Sequence, residues 1–110
     1  MSGLPFPYEG PLPLGETVAT ALRRVVDPEV AMNIVDVGLV VGVALQGKEL
    51  NVQVTMTSAA CPVADVIVED VERELDLAVP ADLFIRVELV WEPPWSPDRM
   101  SEAGRRSMGW

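Results

Sequence analysis

The sequence predicts an α+β domain in which helices cover one face of a small β-sheet. The chain has 110 residues, the length of one domain with one core. Its 18 valines against six aromatic residues favour strands over an all-helical bundle. Segments with helical spacing of apolar residues also alternate along the chain with segments in which every second residue is apolar. The expected order is helix, hairpin, helix, strand and short helix.

The first segment is rich in proline, at positions 5, 7, 11 and 13. Since proline fixes φ and lacks a backbone donor, we expect an extended tail over residues 1–14 and a single domain over residues 15–110. From Glu16 to Val26 the apolar residues follow a helical stripe. Asp27-Pro28 should end this helix, and the turn from Asp27 to Glu29 should project two carboxylates just beyond it.

A hairpin follows a loop that carries Asn33 and Asp36. Leu39 to Gln46 and Glu49 to Thr57 are predicted to pair antiparallel across the Gln46-Gly47 turn. The second strand alternates between apolar and polar residues, so one sheet face should be covered and the other wetter. The polar residues that mark the wetter face are Asn51, Gln53, Thr55 and Thr57.

A second helix is predicted to begin at Cys61-Pro62, because proline is favoured at the first helical position and Cys61 would then be the N-cap. Its apolar residues recur every four positions, at Val63, Ile67, Val71 and Leu75. Ala81 to Val90 alternates as a third strand of the same sheet. Ser101 should cap a short last helix that reaches Met108.

Composition excludes several functions. The net charge of −9 has the wrong sign for a protein that tracks phosphates or anionic lipid, so neither nucleic acid nor membrane is an expected partner. Without histidine there is no imidazole base and no Ser-His-Asp triad. One cysteine excludes a disulfide within the chain. The longest uncharged apolar run, Val37 to Leu45, is far below the roughly 20 residues that span a bilayer, and a cytoplasmic location is expected.

Cys61 is the residue most indicative of chemistry. A thiol at a helix N-terminus lies beside unpaired N–H groups and the positive end of the helix dipole, which favour the metal-binding thiolate. The alternative is a small buried core residue. The carboxylates of Asp27, Glu29 and Asp36 are candidates for hard-metal binding or acid-base chemistry, although residue types in this spacing more commonly serve capping and turn formation.

The segment that contains Trp91, Pro93, Pro94 and Trp95 is the third candidate. Its indoles either pack over the sheet as a rigid lid or, if exposed, form a surface for a partner protein.

Five motifs in this order resemble the metal-sulfur cluster assembly factor family, which includes SufT-type and PaaD-type bacterial proteins and the eukaryotic cytosolic iron-sulfur assembly component. The motifs are Asp27-Pro28-Glu29, residues 33–40 (NIVDVGLV), Thr55-Met56-Thr57, Cys61-Pro62 and residues 91–101 (WEPPWSPDRMS). The resemblance covers about residues 16–110. No cysteine-rich extension of the kind expected in PaaD-type proteins follows, so the SufT-type is preferred.

This resemblance implies two main helices on one face of a small mixed sheet, and an auxiliary, non-enzymatic role with the iron-sulfur assembly machinery and client apoproteins as partners. Cys61 matches the characteristic cysteine of the family, and Asp27 and Glu29 match its acidic turn, as residues for a metal or cluster. We expect the Cys61 sulfur near these carboxylates. The residues expected to shape the site are Asp36, Gly38, Thr55, Thr57 and Pro62.

The ligand count limits how a cluster could be held. One cysteine and no histidine cannot give four protein ligands, so no stably bound cluster is expected in a monomer. A transient cluster or iron shared through Cys61 with a second copy in a homodimer, a small thiol or a client stays open, as does a pure adaptor role. Two other classes are a redox or small-molecule enzyme, with Cys61 as nucleophile and Glu29 or Asp36 as proton acceptor, and a structural interaction module.

Overall fold

The computed structural model describes residues 4–28, 30–56, 64–92 and 94–109, except for the side chain of Met108. In the part of the chain that the structure describes, no helix is long and apolar enough to cross a bilayer. The elements in chain order are β1 (Tyr8–Glu9), α1 (Leu12–Leu22), β2 (Val26–Asp27), β3 (Met32–Asn33), α2 (Ile34–Val37), β4 (Val40–Gln46), β5 (Glu49–Val54), α3 (Ala64–Ala78), β6 (Phe84–Leu89), a 3₁₀ turn (Pro97–Arg99) and α4 (Glu102–Met108).

The main sheet is mixed and has the strand order β1-β4-β5-β6. β4 and β5 form the predicted antiparallel hairpin, with Gln46 opposite Glu49, whereas β1 pairs with β4, and β6 with β5, in parallel. The α+β class is thus confirmed, and the predicted elements occur in the predicted order, although β1, β2, β3 and α2 were not predicted. The strands are shorter than predicted, because β5 ends at Val54 and β6 begins at Phe84.

The core lies on one face of this sheet. In β5, Leu50, Val52 and Val54 are fully buried, while Gln53 is exposed, as the alternation predicts. The helices contribute the other side of the same core, through Val18 and Leu22 on α1 and Ile67, Val71 and Leu75 on α3. Over its described residues α3 therefore buries the stripe that its spacing predicted. α1 buries only the part of its stripe up to Leu22, where the helix ends, and Val26, the last residue of the predicted stripe, is 48% exposed in β2.

Thr55 departs from the alternation. We predicted it on the wetter face, but its side chain is fully buried, and the next residue, Met56, is buried as well. Because β5 ends at Val54, the two-residue period no longer applies to Thr55. Its N–H donates to the carbonyl of Leu39 (2.8 Å), which holds it against the segment that precedes β4.

The N-terminal segment also differs from the extended tail predicted over residues 1–14. α1 begins at Leu12 rather than Glu16, with Pro13 in its first turn, where a missing N–H costs no helical hydrogen bond. Tyr8 and Glu9 form β1, and Phe6 is buried in the core. The Tyr8 hydroxyl donates to the carbonyl of Pro11 (2.7 Å), and burial raises the pKa of this phenol. The proline-rich segment is therefore packed against the domain from Phe6 onwards and is not an extended tail.

Candidate functional site

The acidic turn begins inside the fold. α1 ends at Leu22, and Asp27 lies in β2, which pairs antiparallel with β3. The turn is closed by a hydrogen bond from Ala31 N–H to the Asp27 carbonyl (2.8 Å), with Ala31 in the left-handed region (φ 54°). Asp27 is fully buried, so its carboxylate does not project beyond the helix as predicted. The helical stripe ends before Asp27 because the chain turns into a short strand there.

Several predicted site residues lie outside the described residues. These are Glu29, Thr57, Cys61, Pro62 and Pro93. The predicted cap at Cys61 and its predicted distance from the acidic turn therefore stay predictions. The described chain stops at the buried Met56 and resumes at Ala64, the first described residue of α3.

Asp36 belongs to a one-turn helix that we predicted as a loop. The side chain of Asn33 caps α2, because its Oδ1 accepts from Asp36 N–H (2.9 Å) and its Nδ2 donates to Asp36 Oδ2 (2.8 Å). This reciprocal arrangement resembles a capping box. The sequence signal was an Asn followed three residues later by an acidic side chain.

Gly38 ends α2 in the left-handed conformation (φ 86°), and the last carbonyls of the helix are left without helical partners. Donors from residues 95–101, here called the clasp, reach these carbonyls across more than half of the sequence. Trp95 Nε1 donates to Val37 O (2.8 Å), Arg99 Nε donates to Gly38 O (2.9 Å), and Ser101 N donates to Asp36 O (2.8 Å).

Ser101 joins the clasp to α4. Its Oγ accepts from Gly104 N–H (2.9 Å), as predicted for an N-cap, and also donates to Asp36 Oδ1 (2.9 Å). The Asp36 carboxylate therefore bridges Asn33 at the start of α2 and Ser101 at the start of α4. A Cβ on Gly104 would lie 2.8 Å from Asp36 O, so the two helices approach closely at this point.

Replacing Ser101 by alanine is expected to lower the free energy of unfolding by about 1–2 kcal/mol, because the cap of α4 and the bond to Asp36 are lost together. Urea denaturation measures this loss. Ser107→Ala, an exposed change on the same helix, is the control and should stay within about 0.5 kcal/mol of the parent. In a double-mutant cycle with Asp36→Ala, a coupling near zero would contradict the bridge.

The tryptophan-proline segment divides into an exposed and an anchored part. Trp91 is 46% exposed and Pro94 is exposed. Trp95 is half-buried and fixed through its indole N–H to Val37. Trp95 is therefore anchored to the end of α2, whereas Trp91 has the exposure that a partner surface requires.

The described site residues meet at residues 32–39. β3 pairs with the strand that carries Asp27, α2 contains Asp36 and ends at Gly38, and Leu39 accepts from Thr55. Thr55 Oγ1 is buried and has no hydrogen-bond partner among the residues described. Within the same residues, no group of three or more carboxylates or thiols is placed to hold a metal ion. The described site residues therefore form a scaffold beside the C-terminal end of β5, the strand that precedes Cys61 in the sequence.

Comparison with known proteins gives consistent results. The family model for "Iron-sulfur cluster assembly protein" matches residues 15–88. A Bacillus subtilis protein named Fe-S protein maturation auxiliary factor YitW is 40% identical over 87% of this chain and 94% of its own. The Fe-S protein maturation auxiliary factor SufT of Staphylococcus aureus is 35% identical over 77% of this chain and 97% of its own. A crystal structure of a domain of unknown function from Bacillus anthracis superposes with a TM-score of 0.80, at 38% identity over 86% of this chain and 90% of that one.

Proposed function

The chain belongs to the iron-sulfur cluster assembly protein family, and from this membership we propose that it is an auxiliary factor in cluster assembly or in cluster transfer to client proteins. The observation that carries the proposal is the match, over nearly their whole length, to relatives named as maturation auxiliary factors. The SufT-type resemblance that the motifs predicted is confirmed by these relatives.

Cys61 is the residue proposed to contact the cluster or iron, which is cargo here. α3 is described from Ala64, three residues after Cys61, and it continues for 15 residues. A thiol at the start of such a helix would be favoured as thiolate, the form that binds iron.

The two acidic residues are proposed to act differently. Asp27 is fully buried, which weighs against direct contact with a surface-bound cargo. Its side chain is enclosed at the start of the turn that Ala31 closes through the Asp27 backbone carbonyl, a position that suits a residue holding the turn in place. In the proposed mechanism Asp27 positions the turn, and contact with iron through a carboxylate falls to Glu29.

The cargo is proposed to be shared. A single chain supplies one cysteine and no histidine, so a cluster carried by Cys61 needs further ligands from a client, a small thiol or a second copy. The chain would then pass its cargo on rather than store it. We further propose a non-enzymatic role in the cytoplasm, alongside the assembly machinery and client apoproteins.

A second candidate is an adaptor that recruits a partner without touching the cluster. The observation that favours it is the exposed indole of Trp91, next to an acidic residue and followed by a proline-rich segment. Large aromatic side chains at the surface are common anchors in protein interfaces.

Cys61→Ala tests the two candidates in cells from which the gene has been removed and replaced by the variant. If the thiol contacts the cargo, the activities of cluster-dependent enzymes should fall close to the level of the deletion, while enzymes without clusters keep theirs. Thermal unfolding of the purified variant should stay close to that of the parent.

Trp91→Ala is the matched variant for the adaptor. Full cluster-enzyme activity with Cys61→Ala and a loss with Trp91→Ala would overturn the thiol proposal in favour of the adaptor. A Cys61→Ala protein that no longer folds would indicate a buried structural cysteine. Deletion without any effect on cluster enzymes would contradict both candidates.

A further inference from the structure

Among the strands that the structure describes, β6 lies at one edge of the main sheet. It pairs with β5 on one side, and no other described strand lies on its second side. Phe84 N–H donates to Lys48 O (2.7 Å) and Val90 N–H donates to Val54 O (2.8 Å), so the even-numbered residues direct their backbone groups towards β5. In a parallel pair, the N–H and C=O of one residue both point towards the partner strand, and those of the next residue both point away from it. Ile85, Val87 and Leu89 therefore direct theirs to the open edge.

We propose that this edge binds the β6 strand of a second copy of the chain, antiparallel, around a two-fold axis at Val87. The two main sheets would then form one continuous sheet across the dimer. In this register Val87 faces Val87 of the partner subunit, and Ile85 faces Leu89 of the partner subunit. The three residues whose backbone groups point to the edge then all fall in hydrogen-bonded pairs, as an antiparallel ladder requires.

The charges of β6 select this register. With the axis at Val87, Arg86 lies opposite Glu88 of the partner subunit, and the symmetry repeats the pair. An axis at Arg86 would instead place Arg86 opposite Arg86 of the partner subunit, and an axis at Glu88 would place Glu88 opposite Glu88 of the partner subunit. Opposite charges directly across a strand pair stabilise it, and like charges destabilise it.

Shifts by two residues are also disfavoured. An axis at Ile85 would place Glu88 opposite the acidic Asp82 of the partner subunit. An axis at Leu89 would place Val87 opposite Trp91 of the partner subunit, which lies beyond the end of β6. The strand is thus self-complementary in one register.

The apolar side chains of the edge fit the same occupant. Ile85, Val87 and Leu89 are half-buried against the core, and Phe84 is 74% exposed. An edge strand with exposed apolar residues is usually protected by pairing or by a covering segment. In the proposed dimer Phe84 faces Val90 of the partner subunit, so pairing would cover it. The inference does not depend on the proposed function.

Sedimentation equilibrium of the full chain over a range of concentrations tests the proposal. It is best done at physiological ionic strength, which screens the long-range repulsion between two copies of net charge −9. The parent is expected to dimerise reversibly. Glu88→Arg should weaken the dimer about tenfold or more, because two attractive pairs become repulsive. Adding Arg86→Glu to it should restore the affinity, since the pairs are complementary again and the net charge is that of the parent.

Two control variants separate the edge from other effects. Glu88 also accepts a hydrogen bond from Gln53 Nε2 (3.1 Å), so Gln53→Ala removes this bond without changing the charges at the edge and should leave the dimer unchanged. Glu16→Arg makes the same charge change at an exposed position of α1 and should not weaken the dimer.

Amide hydrogen exchange gives a readout specific to the register. Raising the protein concentration should slow exchange at Ile85, Val87 and Leu89, whereas Arg86 and Glu88 should be protected at every concentration. A chain that stays monomeric at millimolar concentration would overturn the proposal. The edge would then be available to a strand from a different protein. A dimer that Glu88→Arg does not weaken, or that the double variant does not restore, would overturn it as well.

Discussion

Gly38→Ala is expected to lower the free energy of unfolding by about 2–5 kcal/mol, as measured by urea denaturation. Gly38 has φ 86°, a conformation that costs an L-residue about 1–2 kcal/mol. A Cβ at this position would also lie 2.5 Å from the carbonyl carbon of Arg99 and closer still to its oxygen. Because that neighbour is backbone, the clasp would have to move away from α2 to make room.

Gly47→Ala is the matched control, because Gly47 also has a positive φ (62°) but nothing lies within 4 Å of the added Cβ. It should cost about 1–2 kcal/mol, the conformational part alone. The difference between the two variants measures the contact with the clasp. Equal losses would mean that the clasp does not press against Gly38.

The clasp explains why two distant motifs occur together in this sequence. Residues 33–40 provide a helix end with three carbonyls, and residues 95–101 provide the donors that satisfy them. Each bond comes from a single side chain or amide, so the contact leaves no periodic pattern in either segment. Both motifs were visible in the sequence, but the fact that they bind each other was not.

Periodic elements were the ones that the sequence predicted well. The stripe of α3 and the alternation of β5 each persist over many residues, so a single exception does not obscure them. The N-cap at Ser101 was also predicted correctly, because capping depends on the local residue type. Local chemistry and long periods are thus what a single sequence reveals.

Errors arose where a short element interrupts a pattern. Asp27 was predicted on an exposed turn because Asp-Pro commonly forms one, yet two residues of β2 pair with β3 and bury it. Thr55 was assigned by extending the alternation of β5 beyond its last residue. In both places tertiary contacts of two or three residues decide burial, and such contacts have no signature in one sequence.

Ile67→Ala is expected to lower the free energy of unfolding by roughly 2–5 kcal/mol, because it removes three buried carbons and leaves a cavity. Ile67 is fully buried on α3 and belongs to the core cluster that also contains Leu22 of α1 and Val52 of β5. Because Ile67 is fully buried in a core that two helices and the sheet build together, movement of one element cannot readily fill the cavity. Urea denaturation with an unchanged m-value would attribute the loss to the native core.

Val66→Ala provides the control on the same helix, since Val66 is 49% exposed and directly precedes Ile67. Alanine is the better helix former, so this variant should stay within about 0.5 kcal/mol of the parent. A loss for Ile67→Ala as small as that of Val66→Ala would contradict the packing of α3 against the sheet. Because Ile67 is a core residue, Ile67→Ala should reduce cluster-enzyme activity in cells only in proportion to the folded protein that remains. Cys61→Ala should reduce this activity while the protein stays fully folded.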